Sequence, residues 1–140
     1  MTMQLAATAT AKQALELVTE LQTYLVSRLD GLPPKATKTR FHPVHWLRAD
    51  GLYGGGTRFT AHDAELFNRA SVNISQVQYE SDPRRAMGSA TALSTIVHPK
   101  LPIVPSMHMH ISWTEMKSGS GYWRIMGDLN PSLPVAADQD

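Results

Sequence analysis

The chain has 140 residues, of which 42% are hydrophobic and 18% charged, a balance typical of one folded domain over residues 1–140. The formal net charge of +1, with basic residues scattered along the chain, argues against a nucleic-acid partner. The absence of cysteine excludes disulfides, thiolate metal sites and a cysteine nucleophile. There is no signal peptide and no apolar run near the roughly 20 residues of a membrane span, so we expect a soluble cytoplasmic protein.

An amphipathic helix is predicted from about residue 8 to residue 29. Its apolar residues recur at helical spacing, with one further leucine widening the stripe: Ala14, Val18, Leu21, Leu25 and Leu29, with Leu17. Thr8 or Thr10 suits the N-cap, Gly31 suits the C′ position, and Pro33 forbids continuation. We expect this helix to cover a sheet, and a partner-binding helix is the alternative.

The sequence after the helix favours β-structure, with a sheet region at about residues 57–131. Residues 35–50 are predicted to be irregular or an edge segment, Gly51–Gly56 to break regular structure, and residues 62–65 to turn. The predicted strands are residues 57–61, 72–79, 90–97, 107–116 and 122–129, with a hairpin turn at Lys117–Gly121 and a tail at 135–140. One N-terminal helix packed on about five mostly antiparallel strands is an α+β fold.

The stretch from Ser94 to Trp113 contains three histidines in two β-favouring runs, joined by a proline-rich loop. Alternation along a strand puts His108 and His110 on one face, with the methionines between them on the other. If the two runs pair as a hairpin, His98 comes close to His108. Neutral imidazole binds divalent metals and transfers protons near pH 7, so such chemistry and ordinary hydrogen-bonded histidines are both open.

Other polar residues are also candidates for a site. Asp128, after Gly127, could receive a proton or hold a cation, or it could form a turn before Pro131. Three arginines could each hold a carboxylate: Arg48, Arg58 and Arg124. The run Gly54–Gly56 lacks a following Gly-Lys-Ser/Thr and precedes a strand pattern, so it predicts a tight turn or a close approach to a flat ligand, not a phosphate loop.

Taken together, these segments resemble the oxygen-dependent coproporphyrinogen-III oxidase family. The matching pieces are Tyr53–Gly56, Phe67–Ser75 (family pattern Phe-Glu-Lys-Ala-Gly-Val-Asn-x-Ser), Ser94–Ser112 (Ser-x-x-x-His-Pro-x-Asn-Pro-x-x-Pro-Thr-x-His-x-Asn-x-Arg) and Asp128–Pro131 (Asp-Leu-Thr-Pro). The resemblance spans about residues 46–131. The order and spacing of the pieces make it specific, since no single piece would be.

The resemblance implies oxidative decarboxylation of two propionate side chains of coproporphyrinogen III to vinyl groups. The product would be protoporphyrinogen IX, in haem and porphyrin biosynthesis. Molecular oxygen would be the oxidant, no organic cofactor would be needed, and a divalent metal such as manganese is a candidate. The resemblance also implies a homodimer and a large flat antiparallel sheet covered by helices on both sides, half of which this chain would form.

The resemblance also implies roles for individual residues. His108 would be the proton donor, and His98 and His108 would be metal ligands. The substrate contacts would be Ser94 and the triplet His110, Ile111 and Ser112. To these we add two residues on their own chemistry, Asp128 as a catalytic residue and Arg124 as a substrate contact.

The chain also departs from the family pattern. The family's Asn-x-Arg has become His110–Ser112, which removes an arginine suited to gripping a propionate, and Arg124 or Lys100 could replace it. Family members are roughly twice as long, and their second half carries further ligand histidines and a dimer segment. The alternative prediction is therefore a catalytically impaired half-length homologue that acts as a tetrapyrrole- or partner-binding module. A metal-dependent hydrolase or cupin-like oxygenase built on the three histidines is a third possibility.

Overall fold

The computed structural model describes residues 2–35, 38–62 and 65–133, and it begins with the predicted helix. Helix α1 spans Ala9–Asp30, within one residue of prediction at each end. The Thr8 hydroxyl oxygen accepts the Ala11 amide at 3.2 Å, which caps the N-terminus. The Gly31 amide donates to the Ser27 carbonyl at 3.1 Å and closes the last turn.

The remaining elements form one antiparallel sheet in which each strand pairs with the next strand in the chain. The strands are β1 (His42–Leu47), β2 (Gly54–Ala61), β3 (Phe67–Gln78), β4 (Met87–Pro99), β5 (Ser106–Met116) and β6 (Gly121–Asn130). All the predicted strands are confirmed, and each begins before its predicted first residue. The α+β arrangement of one helix on an antiparallel sheet is confirmed.

The region before β3 contributes one strand more than the five predicted. Of the two alternatives for residues 35–50, irregular or an edge segment, the edge segment is confirmed, because the edge strand β1 forms there. The prediction that Gly51–Gly56 breaks regular structure was wrong for Gly54–Gly56, which begins β2. A Cβ at Gly54 would collide with the Gln76 carbonyl oxygen of β3, so glycine allows the two backbones to pair this closely. The predicted turn at 62–65 and the tail at 135–140 lie partly or wholly outside the described residues.

The core lies between α1 and the middle of the sheet. Val18 of α1, Val72 of β3 and Leu93 of β4 are each 0% exposed and pack in one cluster. Burial of such a side chain contributes roughly 1.5–3 kcal/mol to folding. The prediction that Leu17 widens the apolar stripe was wrong, because Leu17 is 44% exposed beside the core-facing residues. The prediction that α1 covers a sheet is confirmed.

Alternation along the strands gives the sheet two different faces. The face that packs against α1, here called the covered face, carries Val72, Leu93 and Met109. The opposite face, here called the open face, carries Asn73, Ser94 and His110. In the described part of the chain no helix packs on the open face, whereas the resemblance implied helices on both sides. None of the described helical residues forms a segment long and apolar enough to cross a membrane.

Candidate functional site

The open face gathers the polar residues of the sequence motifs into rows that run across the sheet. Residues paired between antiparallel strands point to the same side, so each row is a line of neighbouring side chains. The first row is Val44, Arg58, Asn73, Ser94, His110 and Met126. The second is His42, Thr60, Ser71, Ile96, His108 and Asp128, and the third is Trp46, Gly56, Ser75, Ala92, Ser112 and Arg124.

A polar cluster forms at one end of this face, where β4, β5 and β6 lie side by side. The Nε2 atoms of His98 and His108 are 3.4 Å apart, and the two rings meet edge to face. On its other side, His108 Nδ1 lies 3.1 Å from Asp128 Oδ1. The Asn130 amide donates to Asp128 Oδ2 at 2.8 Å. The predicted approach of His98 to His108 is therefore confirmed.

Two side chains approach His108 Nδ1. Asp128 Oδ1 lies 3.1 Å and the Asn130 amide nitrogen 3.2 Å from this atom, so Nδ1 donates to the carboxylate in one tautomer and accepts from the amide in the other. Nε2, on the opposite side of the ring, faces His98. The side chains of His108 and Asp128 are 34% and 52% exposed, so a ligand on the open face can reach them. A histidine held this way can take up a proton at Nε2 and deliver it to a bound molecule.

The predicted substrate contacts divide between the two faces. Ser94 and His110 share the open face, and the Ser94 Oγ is 2.8 Å from His110 Nδ1. Ser112 lies on the same face and is 7% exposed. Ile111 is paired with the fully buried Leu93 and points to the covered face, away from the histidine cluster. Only its backbone could contribute to a site on the open face.

Arg124 lies on the open face at the outer strand β6, directly opposite Ser112. Its guanidinium carbon is 5.9 Å from the centre of the Tyr122 ring, at the outer limit of a cation–π contact. The other predicted clamp, Lys100, lies beyond β4, where its amide donates to the Leu66 carbonyl at 2.9 Å.

Sequence reasoning missed a second polar group on this face, around the Trp46 indole. The indole lies over Gly56, since a Cβ at that position would be 3.0 Å from Trp46 Cζ2. Its Nε1 donates to Asn73 Oδ1 at 3.0 Å, so the ring bridges from β1 to β3. Beside it lies a depression of about 370 Å³, lined by Trp46, Arg58, Ser71, Asn73, Ser94 and Ile96. The run Gly54–Gly56 was the sequence signal for this group, because it predicted a tight turn or a close approach to a flat ligand. The flat group that lies beside it is the Trp46 indole of the same chain.

The separation of the two histidine Nε2 atoms suits two ligands of one divalent metal ion. Two nitrogens bound tetrahedrally to one ion at about 2.1 Å lie about 3.4 Å apart. The separation of His98 and His108 Nε2 atoms, 3.4 Å, matches this value. The contact of His108 with Asp128 has the form of the carboxylate that orients a ligating histidine. The described residues contain no group of three or more metal-ligating side chains, so the pair supplies two ligands only.

The carboxylates with clearly shifted pKa values lie away from the open face. The pKa of Glu115 is lowered mainly by the hydrogen bond from the Thr10 hydroxyl, at 2.6 Å, and further by the Trp113 indole N–H. The pKa of Asp82 is lowered by hydrogen bonds from the side chain and backbone of Arg84. Glu115 joins α1 to β5 and Asp82 orders a loop, so both act structurally.

Comparisons with known proteins agree with this geometry. A family profile described as coproporphyrinogen III oxidase matches residues 13–140. An oxygen-dependent coproporphyrinogen-III oxidase of Prochlorococcus marinus strain MIT 9312 is 30% identical over 87% of this chain and 37% of its own length. The protein of the same description from strain MIT 9313 is 30% identical over 91% of this chain and 38% of its own. The chain thus spans well under half the length of these relatives. It belongs to the coproporphyrinogen III oxidase family.

Proposed function

We propose that this chain provides the substrate-binding face and the proton donor for oxygen-dependent oxidative decarboxylation of coproporphyrinogen III to protoporphyrinogen IX. The observation that carries the proposal is the line from His98 through His108 to Asp128, at 3.4 Å and 3.1 Å, on an open sheet face. Family membership supports the reaction class. Relatives of this description use oxygen, which supports oxygen as the oxidant.

The chemistry explains why a proton donor is needed. Each propionate that becomes a vinyl group loses carbon dioxide, one proton and two electrons. Two propionates therefore supply the four electrons that reduce one oxygen molecule to two water molecules. That reduction consumes four protons, of which the propionates release two, so the site must deliver two more. His108, with one nitrogen turned to Asp128 and the other accessible, is suited to deliver them.

The open face also suits the shape and polarity of the substrate. A porphyrinogen is a broad ring system whose carboxylates lie at its rim, so it needs a wide surface with donors at the margins. The open face supplies the Ser94 and His110 pair near its middle and Arg124 at its outer strand. Arg124 would grip a carboxylate in place of the family's missing arginine, as a guanidinium does with two parallel hydrogen bonds.

A metal is part of the proposal in one respect. In a metal-bound form, His98 and His108 would hold a divalent cation such as manganese through their Nε2 atoms, and the cation would act as a Lewis acid. Because that cation would occupy the same Nε2 atom, the proton-donor role of His108 belongs to the metal-free form of the site. Further ligands would come from water or from outside the described residues. Two further points implied by the resemblance, a homodimer and a cytoplasmic location, stay predictions, and light scattering in solution tests the first.

The central experiment measures oxygen uptake and carbon dioxide release when coproporphyrinogen III is supplied. His108→Ala should lower the rate by roughly 10²–10⁴-fold, the usual contribution of a general acid. The matched control is His45→Ala. His45 is an exposed histidine of β1 that contacts only the Thr57 hydroxyl, at 2.9 Å, and its loss should leave the rate unchanged. Wild-type turnover in His108→Ala would reject the proposed role.

A second function is favoured by the histidine pair, which supplies only two metal ligands among the described residues, and by the triplet His110–Ser112, which stands where the family pattern has Asn-x-Arg. The chain would then bind a tetrapyrrole without oxidising it. Anaerobic titration with coproporphyrin III, followed by tryptophan fluorescence, measures binding, and the oxygen-uptake experiment above measures turnover. Together the two measurements separate the two functions. Binding without oxygen uptake supports the binding module, whereas binding with uptake supports the oxidase. A protein that shows neither would contradict both.

A further inference from the structure

The geometry points to Arg58 and Arg69 as the residues that hold the propionates which do not react. This inference rests on the proposed function and adds to it a binding site for the unreactive rim of the substrate. Coproporphyrinogen III has four propionates, and two of them persist in the product. A site that binds the two persisting propionates would position the macrocycle so that the reacting propionates lie at the histidine cluster.

Both arginines are exposed and have no partner in the described part of the chain. Arg58 lies in the middle of β2 and Arg69 near the start of β3. Neither side chain has a hydrogen bond, ion pair or ring contact with any residue among 2–35, 38–62 and 65–133. Three other arginines are occupied: Arg84 and Arg85 pair with Asp82, and Arg40 bonds to Asp30. Arg58 and Arg69 are therefore free to bind a ligand.

Both side chains point to the open face, as their strand partners show. Arg58 is paired with Asn73, and Arg69 is paired with His98 across β3 and β4. At usual strand dimensions, the Cα atoms of the two arginines are about 14 Å apart. Arg58 lies about 14 Å, or three strand intervals, from His110. Arg69 therefore lies beside the histidine cluster and Arg58 lies farther along the face, beside the depression, so a persisting propionate at Arg69 would be a near neighbour of the reacting one.

The open face carries an excess of positive charge, whereas the whole chain is close to neutral. The sequence carries 13 basic and 12 acidic residues, close to balance. The described strand positions of the open face carry Arg58, Arg69 and Arg124, but Asp128 is their one carboxylate, and it is bonded to His108 and Asn130. This excess of unpaired cations is complementary to a ligand with several carboxylates.

The surroundings of Arg58 also fit a carboxylate. It borders the depression of about 370 Å³, where Ser71 and Asn73 offer polar groups and the Trp46 ring forms an apolar wall. A guanidinium beside such a wall is less hydrated than one in open water and binds a carboxylate through two parallel N–H donors. We therefore expect Arg58 and Arg69 to favour porphyrin ligands that carry the two propionates that persist in the product.

The experiment titrates the intact chain with two air-stable porphyrins and follows tryptophan fluorescence. Coproporphyrin III has all four propionates, and mesoporphyrin IX keeps only the two that persist in the product. Arg58→Gln and Arg69→Gln should each raise the Kd of both porphyrins about tenfold, as loss of a hydrogen-bonded charge contact does. Arg58→Lys should recover part of the loss, because it restores charge without the fork. Arg28→Gln on α1, an exposed arginine away from the open face, should change neither Kd.

The possible outcomes are distinct. Unchanged affinity in both glutamine variants, or an equal loss in Arg28→Gln, would overturn the inference while leaving the proposed function intact. A loss confined to coproporphyrin III would also overturn it, because the arginines would then hold reacting propionates. A wild-type chain that binds neither porphyrin would overturn the proposed function together with this inference. Circular dichroism of each variant would confirm that the sheet is retained.

Discussion

The two faces of the sheet are built from alternate residues of the same strands and differ in almost every property. On β4, Leu93 is 0% exposed in the core, whereas the next residue, Ser94, bonds to His110 on the open face. On β5, Met109 packs against the core while His108 and His110 lie on the open face. An antiparallel sheet thus separates the packed residues from the candidate site by one position along the strand.

This comparison predicts that stability and function are separable along a single strand. Substitutions on the covered face should unfold the protein before they alter a bound ligand. Substitutions on the open face should alter binding or turnover while the free energy of unfolding changes little. The three predictions below test that division, in order of decreasing effect.

The largest effect is expected for Leu93→Ala. Its side chain is fully buried between α1 and the sheet, so truncation leaves a cavity and should cost about 2–5 kcal/mol of unfolding free energy. Its neighbour is the matched control. Ser94→Ala loses one partly buried hydrogen bond to His110, so about 1 kcal/mol or less is expected. Urea unfolding followed by circular dichroism measures both. Equal losses in the two variants would show that the faces are not energetically distinct.

The covered face and the histidine pair could be predicted from the sequence because each depends on local periodicity. Helix α1 followed from its apolar spacing and from the cap at Thr8. The contact between His98 and His108 followed from pairing the strands that flank a short proline-rich loop. Leu17 shows the limit of this reasoning, since a residue at the margin of an apolar stripe is exposed or buried according to the width of the sheet beneath it.

The rest of the open face could not be predicted, because it depends on contacts between strands distant in sequence. Strand β1 is short, contains Pro43 and two histidines, and is held by its pairing with β2, so its local pattern was not typical of a strand. The position of the Trp46 indole depends on Gly56 and on Asn73, which lies 27 residues later. The alignment of Arg58 and Arg69 with the histidines required the register of β2, β3 and β4.

A smaller effect is expected for Asp128→Asn, which tests whether the open face works as a connected site. Asp128 acts through His108, so it is a positioning residue, and an asparagine oxygen can still accept from Nδ1. Activity should fall by about 10–100-fold, as is usual for loss of a carboxylate behind a functional histidine. The loss should appear in kcat with KM little changed, because Asp128 would act on the orientation of His108. Asp50→Asn, in the exposed turn between β1 and β2, is the control. Unchanged activity in Asp128→Asn would remove Asp128 from the proposed mechanism.

The smallest effect concerns Glu115, the one carboxylate on the covered face of β5. It is 9% exposed and accepts hydrogen bonds from Thr10 of α1, at 2.6 Å, and from the Trp113 indole, at 3.0 Å. The Thr10 hydrogen bond is the main reason that its pKa lies below its ordinary value of 4.5. A depressed folded-state pKa stabilises the protein above the unfolded value and loses that contribution as pH falls through the folded value.

The stability of the wild-type chain should therefore fall more steeply below about pH 4.5 than that of Glu115→Gln. Urea unfolding at a series of pH values between 7 and 3 measures the difference, in which the titration of all other carboxylates cancels. Thr10→Ala should show an intermediate slope, because the Trp113 contact remains. Identical slopes in all three proteins would mean that Glu115 is not held by α1. The helix would then be attached to the sheet by its apolar residues and by neutral hydrogen bonds, such as those from the Gln22 amide to the Thr57 and Val72 carbonyls, without a contribution from a charged group at Glu115.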